Sequence, residues 1–305
     1  MIIGIDHGYG YIKTCHSVFA SGVAAFDAEP AFSKRLVELD GRFYQVGCQP
    51  DGLAADKTAT EDYYIMTLAA IAEEMKAAGT TGAYVTLAVG CPLTRYGREK
   101  SQLEAYLSKN TKITFKYEGT EYKVYGISHI YTYPQGYAAI VDRLSQIKGA
   151  CYLIDVGTGT TDISPISSDK SIDLAKARTL QMGVSNCISM INEAISREYQ
   201  TELPANVIID VMVGRDVVLP PVIISLIEET ISSWCEILLK QLNQNKIDYR
   251  LTQTFFAGGG ALLLSKYAKS IDPERSCITY ITDVTANAKG YELLAAAQSQ
   301  NKKGK

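Results

Sequence analysis

Residues 3–13, IGIDHGYGYIK, and residues 152–163, YLIDVGTGTTDI, are two copies of one pattern, an apolar strand that stops at Asp-x-Gly-x-Gly. Their aspartates, Asp6 and Asp155, stand 149 positions apart, close to half of a 305-residue chain. A repeat at that spacing predicts two related halves, each opening with the same strand and turn.

The sequence outside the two copies alternates between strand and helix periodicities, which defines an α/β class. In the first half, residues 2–5, 43–46 and 84–89 read as strands. Residues 62–78 place apolar groups at 65, 68, 69, 71, 72 and 75, the spacing of an amphipathic helix. Residues 98–107 read as a second helix. Residues 113–117 and 122–125, with Glu118-Gly119 between them, read as a hairpin. Pro134 precedes a helix expected over 135–146, since the first amides of a helix lack partners in any case. In the second half, the pattern 184, 188, 191, 195 is helical, and Pro220-Pro221 open a long helix with an apolar stripe through 223, 226, 227, 231, 234, 238 and 242. Residues 255–257 read as a strand running into Gly258-Gly259-Gly260, with a helix over 261–268 and a terminal helix over 291–297. Residues 47–60, rich in Gly, Ala and Asp, read as a loop, and the tail 301–305 as a frayed end.

Composition narrows the function classes. The chain is 47% hydrophobic and 21% charged, ordinary for a globular protein and far from a disordered one. With 30 Lys+Arg against 33 Asp+Glu, the net charge of −3 carries no basic nucleic-acid footprint. The seven cysteines form no CxxC pair, which argues against a zinc ribbon or a dithiol redox site, and an odd count argues against a full disulfide framework. Cys151 and Cys235 lie in apolar runs and read as buried, reduced thiols. Asp6 and Gly8 interrupt the opening too early for a signal peptide. Residues 207–227, the most apolar stretch, contain Asp210, Arg215, Asp216 and two prolines, so no membrane span is expected. The expectation is a cytoplasmic protein that binds neither membrane nor nucleic acid directly.

The repeated turn carries chemistry. Glycines let backbone N–H groups approach a ligand closely, and successive N–H groups in a turn form a concavity suited to phosphate. An aspartate at the strand end adds a hard oxygen ligand of the kind Mg²⁺ takes while riding on substrate phosphates. Lys13 adds a point charge to the first turn. Thr158, Thr160 and Thr161 add hydroxyls to the second, and Asp162 a further carboxylate. A single Asp-x-Gly-x-Gly turn is equally a plain hairpin; two copies at half-chain spacing favour phosphate binding. The strand–Gly-Gly-Gly–helix at 255–268 is either a tight connection or a flat surface for an adenosine beside a helix N-terminus.

These motifs, in this order, resemble an actin-like ATPase of the actin/Hsp70/sugar-kinase superfamily, and within it the ParM/StbA plasmid-segregation actins and their archaeal relatives. GIDHGYGYIK (4–13) resembles the first phosphate loop and AVGCPL (88–93) the strand end beside it. YPQGYAAI (133–140) resembles the first connecting helix, IDVGTGTTDI (154–163) the second phosphate loop, FAGGGALLL (256–264) the adenosine motif and ANAKGYELLAA (286–296) the second connecting helix. The resemblance spans residues 4 to 296 and implies an actin-like fold of two ribonuclease H-like α/β domains with a nucleotide cleft between them. It implies domain I over 1–148, with a small subdomain at about 31–60 and a returning helix 287–305, and domain II over 149–286, with a subdomain at about 183–250.

The same resemblance implies roles. Asp6 and Asp155 would hold Mg²⁺, largely through water. Gly8, Tyr9 and Gly10, with Gly157, Thr158, Gly159 and Thr160, would cradle the phosphates. Gln135 would orient the attacking water, with Asp155 and Asp162 as catalytic carboxylates. Gly183 would open the helix near the ribose, and Gly258, Gly259 and Gly260 would face the adenosine. The region around 214–216 is one candidate for the adenine side. Two positions depart from the pattern: many relatives carry Glu where Gln135 stands, and better-known actins carry Ser or Thr where Tyr9 stands. The implied activity is hydrolysis of ATP or GTP, with Mg²⁺, coupled to head-to-tail polymerisation. The implied partners are further copies of the chain and a DNA-binding adaptor of a plasmid partition system. The alternatives are a metabolic kinase of the superfamily, for which no further substrate-pocket motif is visible, and a weakly hydrolysing scaffold. A peptide-binding chaperone would need a domain after the final motif.

Overall fold

The computed structural model describes residues 1–48, 57–271 and 277–303. Most of the loop expected over 47–60, and the last two residues of the tail, lie outside the described residues. The chain divides into two compact units, Met1–Asp142 with Thr285–Lys305, and Arg143–Val284.

The first unit is built on a nine-stranded sheet. Its strands are β1 (Ile2–His7), β2 (Tyr11–Lys13), β3 (Val18–Ala20), β4 (Val23–Phe26), β5 (Leu36–Leu39), β6 (Arg42–Val46), β7 (Gly82–Cys91), β8 (Ile113–Tyr117) and β9 (Thr120–Pro134). They lie in the order β3-β2-β1-β7-β9-β8-β5-β6-β4. The β1–β2 and β2–β3 pairs are antiparallel, while β1–β7 and β7–β9 are parallel. Ile3 and Ile5 are fully buried. Helix α1 (Asp62–Ala77) is buried over residues 63–72, so it is apolar nearly all round and not along one stripe as its spacing predicted. Helix α2 (Tyr96–Leu107) buries Leu103 and Leu107 and packs the partly buried Tyr96 and Tyr106 against the core.

The second unit holds β10 (Cys151–Val156), β11 (Thr161–Ile166), β12 (Arg178–Leu180), β13 (Gln253–Ala257) and β14 (Ile278–Tyr280), in the order β12-β11-β10-β13-β14. Again two antiparallel pairs precede two parallel ones. The sequence repeat is thus a repeat of a whole five-strand order, with β1 and β10 equivalent. The helices of this unit are α3 (Val184–Tyr199), α4 (Ala205–Val213), α5 (Pro221–Gln244) and α6 (Gly259–Tyr267). Helix α5 buries the expected stripe, including Ile227, Ile231, Trp234, Leu238 and Leu242.

Three expectations need correction. The segment after Pro134 is a 3-10 helix over Tyr137–Gln146, not an α-helix from Gln135. Strand β9 runs fifteen residues, because β7 pairs with it along its length through two register shifts. The closing helix α7 (Ala286–Lys303) begins before residue 291, where periodicity placed its start, at the segment 286–296 that the resemblance reads as a helix, and continues through the first residues of the expected frayed tail. It belongs to the first unit and lies so close to β1 and β7 that a Cβ at Gly4 would collide with the Ala288 backbone, and one at Gly90 with the Tyr291 ring. All seven cysteines are free, and Cys151 and Cys235 are buried as expected. Among the described residues, no helix is long and apolar enough to cross a membrane.

Candidate functional site

In α/β sheets ligands bind beyond the carboxyl ends of the parallel strands. In the first unit those ends carry Asp6 on β1, Cys91 on β7 and, directly after β9, Gln135. The sequence separates Asp6 and Gln135 by more than a hundred residues; the sheet brings them together. The Asp6 carboxylate accepts one hydrogen bond from Lys13 Nζ at 3.3 Å, on Oδ2, and one from Gln135 Nε2 at 3.3 Å, on Oδ1. Lys13 is placed for this by the β1–β2 ladder, where Asp6 pairs with Lys13. Gln135 is held in turn by its own backbone, whose N–H donates to the Cys91 carbonyl at 2.8 Å. The next amide, of Gly136, donates to Asn287 Oδ1 on α7 at 3.0 Å.

The turn between β1 and β2 carries Gly8, Tyr9 and Gly10. A Cβ on Gly8 would stand 2.6 Å from the Tyr11 carbonyl oxygen, so the turn closes too tightly for any side chain there. Ser21 fastens it from outside: its hydroxyl donates to the Gly8 carbonyl at 2.8 Å and its amide to the Gly10 carbonyl at 3.0 Å. Tyr9 projects its side chain to solvent, half of it exposed. Directly after Asp6, His7 is fully buried. Burial, reinforced by the positive charge of Lys57 and only partly opposed by Asp6, lowers its pKa to about 3, so the ring is neutral. Its Nε2 lies 2.8 Å from Thr67 Oγ1, and that hydroxyl donates to the Tyr63 carbonyl at 2.6 Å. Thr67 therefore accepts, and the ring proton sits on Nε2.

In the second unit the equivalent ends carry Asp155 on β10 and Gly258 after β13. Asp155 pairs with Asp162 across β10–β11, the register at which Asp6 pairs with Lys13. Asp162 Oδ1 accepts from Thr179 Oγ1 at 2.5 Å. The turn between the two strands carries Gly157, Thr158, Gly159 and Thr160, and closes through a bond from the Gly157 amide to the Thr160 carbonyl at 2.8 Å. Helix α3 is docked on this turn: the amides of Val184 and Ser185 donate to the carbonyls of Gly157 and Thr158 at 3.0 and 2.8 Å. Gly183 permits that approach, since a Cβ there would lie 2.5 Å from the Thr158 carbonyl oxygen. The Thr161 hydroxyl, expected as a ligand donor, is instead buried and donates to the Met182 carbonyl at 2.6 Å.

The three consecutive glycines divide their roles. Gly258 has φ +81°, and a Cβ on it would collide with the Asp155 carboxylate. One on Gly260 would collide with Val156. Both are needed to set β13 and α6 against the end of β10. A Cβ on Gly259 would meet nothing within 4 Å, and the same holds for Gly159 in the turn. These two glycines have open space over them where a ligand could lie.

Among the described residues, no group of three or more His, Cys, Asp or Glu side chains could cage a metal ion. Single aspartates at strand ends beside glycine turns fit Mg²⁺, which keeps several waters and is bound through one or two carboxylates together with substrate phosphates. Ser21, His7, Thr179 and Asn287 are absent from the sequence-derived site. Each is a polar residue whose role depends on partners made adjacent only by the fold.

Two repeated strand–turn–strand units with this topology define the actin-like class, and comparison with known proteins agrees. The family profile described as actin like proteins N terminal domain matches residues 4–137, and that of the archaeal actin homologue MreB-like C-terminal domain matches residues 153–269. The chain belongs to the actin-like proteins. Its fold is that of Ta0583, an archaeal actin homologue, at 22% identity and a TM-score of 0.78 over 98% of this chain and 99% of that one. The same homologue has been solved in complex with ADP and matches in that form at 21% identity and a TM-score of 0.74, over 97% of this chain and 99% of that one. A 15-stranded ParM filament from Clostridium botulinum matches at 19% identity and a TM-score of 0.76, again over 97% and 99% of the two chains. Sequence comparison with curated proteins finds no match.

Proposed function

We propose that the protein is a filament-forming ATPase in which nucleotide binding favours head-to-tail assembly and hydrolysis loosens it. The observation that carries this reading is the matched pair of strand-end aspartates, Asp6 and Asp155, each leading into a glycine turn at the same place in the same five-strand order. One such turn is a common reversal; two in equivalent positions of an actin-like fold suit the phosphates of one nucleotide. The ADP complex of one homologue and the filament of another support nucleotide binding and self-assembly as the family's use of this fold.

In this reading Asp6 and Asp155 hold Mg²⁺ through water, and the turns at Gly8–Gly10 and Gly157–Thr160 take the phosphates. Magnesium, when bound, neutralises charge on the phosphoryl oxygens. Phosphoryl transfer depends mainly on positioning and electrostatics. Gln135 fits the positioning role because its amide is already oriented by Asp6, and a neutral amide aligns a water without removing its proton. Slow turnover follows. A heterologous head-to-tail contact whose rotation does not close yields an open helical filament. We further propose that the filament moves plasmid DNA through a DNA-binding adaptor, which agrees with the chain's acidic balance.

The test follows light scattering and phosphate release together after adding Mg-ATP, or Mg-GTP, to the purified protein. A scattering rise that decays as phosphate accumulates, and is absent with ADP, is the expected result. Phosphate release with no scattering at any concentration removes the filament reading. ADP formation that appears only with a small hydroxylated acceptor, without matching phosphate release, points to a kinase, since the phosphoryl group then passes to the acceptor.

A further inference from the structure

Within the first unit a cavity opens beside the end of β7, with Lys57, Gly90, Cys91, Arg95 and Glu99 among its lining residues. Lys57 is the unusual member. Burial pushes its ammonium below the ordinary lysine range, against the pull of Asp6 and Glu99 toward the charged form. Among the described residues it makes no hydrogen bond or ion pair; its noted contact is the face of the Tyr63 ring, 5.9 Å from Nζ. Both carboxylates within its field are already engaged. Glu99 is paired with Arg95 at 3.0 Å, and Asp6 accepts from Lys13 and Gln135. A buried ammonium without an anion is costly and tends toward its neutral form, and an arriving anion restores the charged one; groups perturbed in this way cluster at functional sites.

Its surroundings indicate which anion. The cavity that Lys57 lines lies at Gly90 and Cys91, the carboxyl end of β7, and β7 runs parallel beside β1, whose own end opens the first glycine turn. The cavity wall at Cys91 is the residue whose carbonyl holds the Gln135 amide. Gln135 borders the same strand end, since a Cβ on Gly90, which lines the cavity, would lie 2.9 Å from Gln135 Cγ. Lys13 and Arg95, the other cations nearby, are each committed to a carboxylate.

We propose that Lys57 is the receptor for the terminal phosphoryl group of a nucleoside triphosphate, its ammonium donating to a γ-phosphoryl oxygen and so gaining the anion it lacks. A diphosphate ends one phosphoryl group short and leaves the lysine unpaired. Lys57 is thereby the group that distinguishes the nucleotide before hydrolysis from the nucleotide after it. The proposal rests on the nucleotide-binding reading above.

The experiment titrates the full chain with Mg²⁺ and fluorescent N-methylanthraniloyl forms of ADP and of the non-hydrolysable β,γ-imido ATP. Lys57→Met should lose about tenfold or more in affinity for the triphosphate analogue, the worth of a hydrogen bond to a charged group, and change for ADP by less than about twofold. Lys57→Arg should keep most of the triphosphate affinity. Equal losses for both nucleotides, or no loss for either, overturn the proposal while leaving the nucleotide reading standing. A wild-type chain that binds neither nucleotide removes both. Circular dichroism checks folding, and Lys57→Gln, which leaves a polar group in the cavity, gives the same comparison should the methionine variant not fold.

Discussion

Gln135 donates its side-chain amide to the Asp6 carboxylate at 3.3 Å, tying the end of β9 to the end of β1. In the proposed mechanism Asp6 serves the metal and Gln135 the attacking water, so this bond fixes one relative to the other. Gln135→Ala removes the water's partner but leaves Asp6 its Lys13 bond. Phosphate release at saturating ATP should fall on the order of a hundredfold, while ADP affinity changes by less than about twofold. A large loss of affinity with unchanged turnover per bound nucleotide would contradict the assignment. Gln135→Glu would set a second carboxylate against Asp6 and should bind Mg²⁺-nucleotide with a changed metal dependence, read by titrating Mg²⁺ at fixed ADP.

Much of this arrangement was legible in the sequence because glycine and aspartate at turns carry local physics. The Asp-x-Gly-x-Gly copies gave both strand ends, and the apolar stripe of α5 gave the core of the second unit. The misjudged features are ones that local periodicity does not decide. The segment after Pro134 has helical periodicity, but Gly136 takes φ +81°, outside the helical region, so the winding starts only at Tyr137. Thr161 reads as a free hydroxyl until Met182 is brought beside it. Nothing local marks Lys57, whose character comes from burial beside residues of β7 and α2.

The glycines at 258–260 give a separable prediction. Gly258 combines positive φ with contact against Asp155, so Gly258→Ala should cost about 1–3 kcal/mol in urea unfolding. Gly259 has open space above it and opens α6, so Gly259→Ala should leave the unfolding midpoint nearly unchanged. If an adenosine lies on this surface, the same Gly259→Ala substitution weakens ADP binding by about tenfold through a single misplaced methyl. Unchanged ADP affinity would remove Gly259 from the nucleotide site.

His7 makes stability depend on pH. Its pKa falls from the ordinary 6.5 to about 3 on folding, so the unfolded chain binds the extra proton between those values. The stability that a neutral His7 contributes is complete above pH 6.5 and is lost as pH falls toward 3, at up to about 1.4 kcal/mol per pH unit. In His7→Leu, Thr67 keeps its bond to the Tyr63 carbonyl, so no donor is orphaned. Urea unfolding at about pH 7, 6 and 5 should show the wild type losing stability faster than the variant, by about 1 kcal/mol per unit at the lower end. Parallel pH profiles would mean that the ring is solvated or charged in the fold.

Helix α7 returns to the first unit through glycines that no phosphate chemistry requires. A Cβ at Gly4 would run into the Ala288 carbonyl, and the Gly4 amide donates to Glu292 Oε1 at 2.9 Å, so β1 and α7 are in backbone contact. Backbone cannot yield as a side-chain tip can. Gly4→Ala should therefore push α7 away and destabilise the protein by about 2–4 kcal/mol. Because Asn287, on the same helix, holds the Gly136 amide, the shift should also loosen Gln135. Phosphate release should fall even where the variant is fully folded. Gly97→Ala is the control: it lies in α2 with nothing within 4 Å of its Cβ position and should stabilise by about 0.5 kcal/mol through helix propensity alone. Equal stability of the two variants would show that β1 and α7 do not pack at backbone distance, and the link from α7 to Gln135 would go with it.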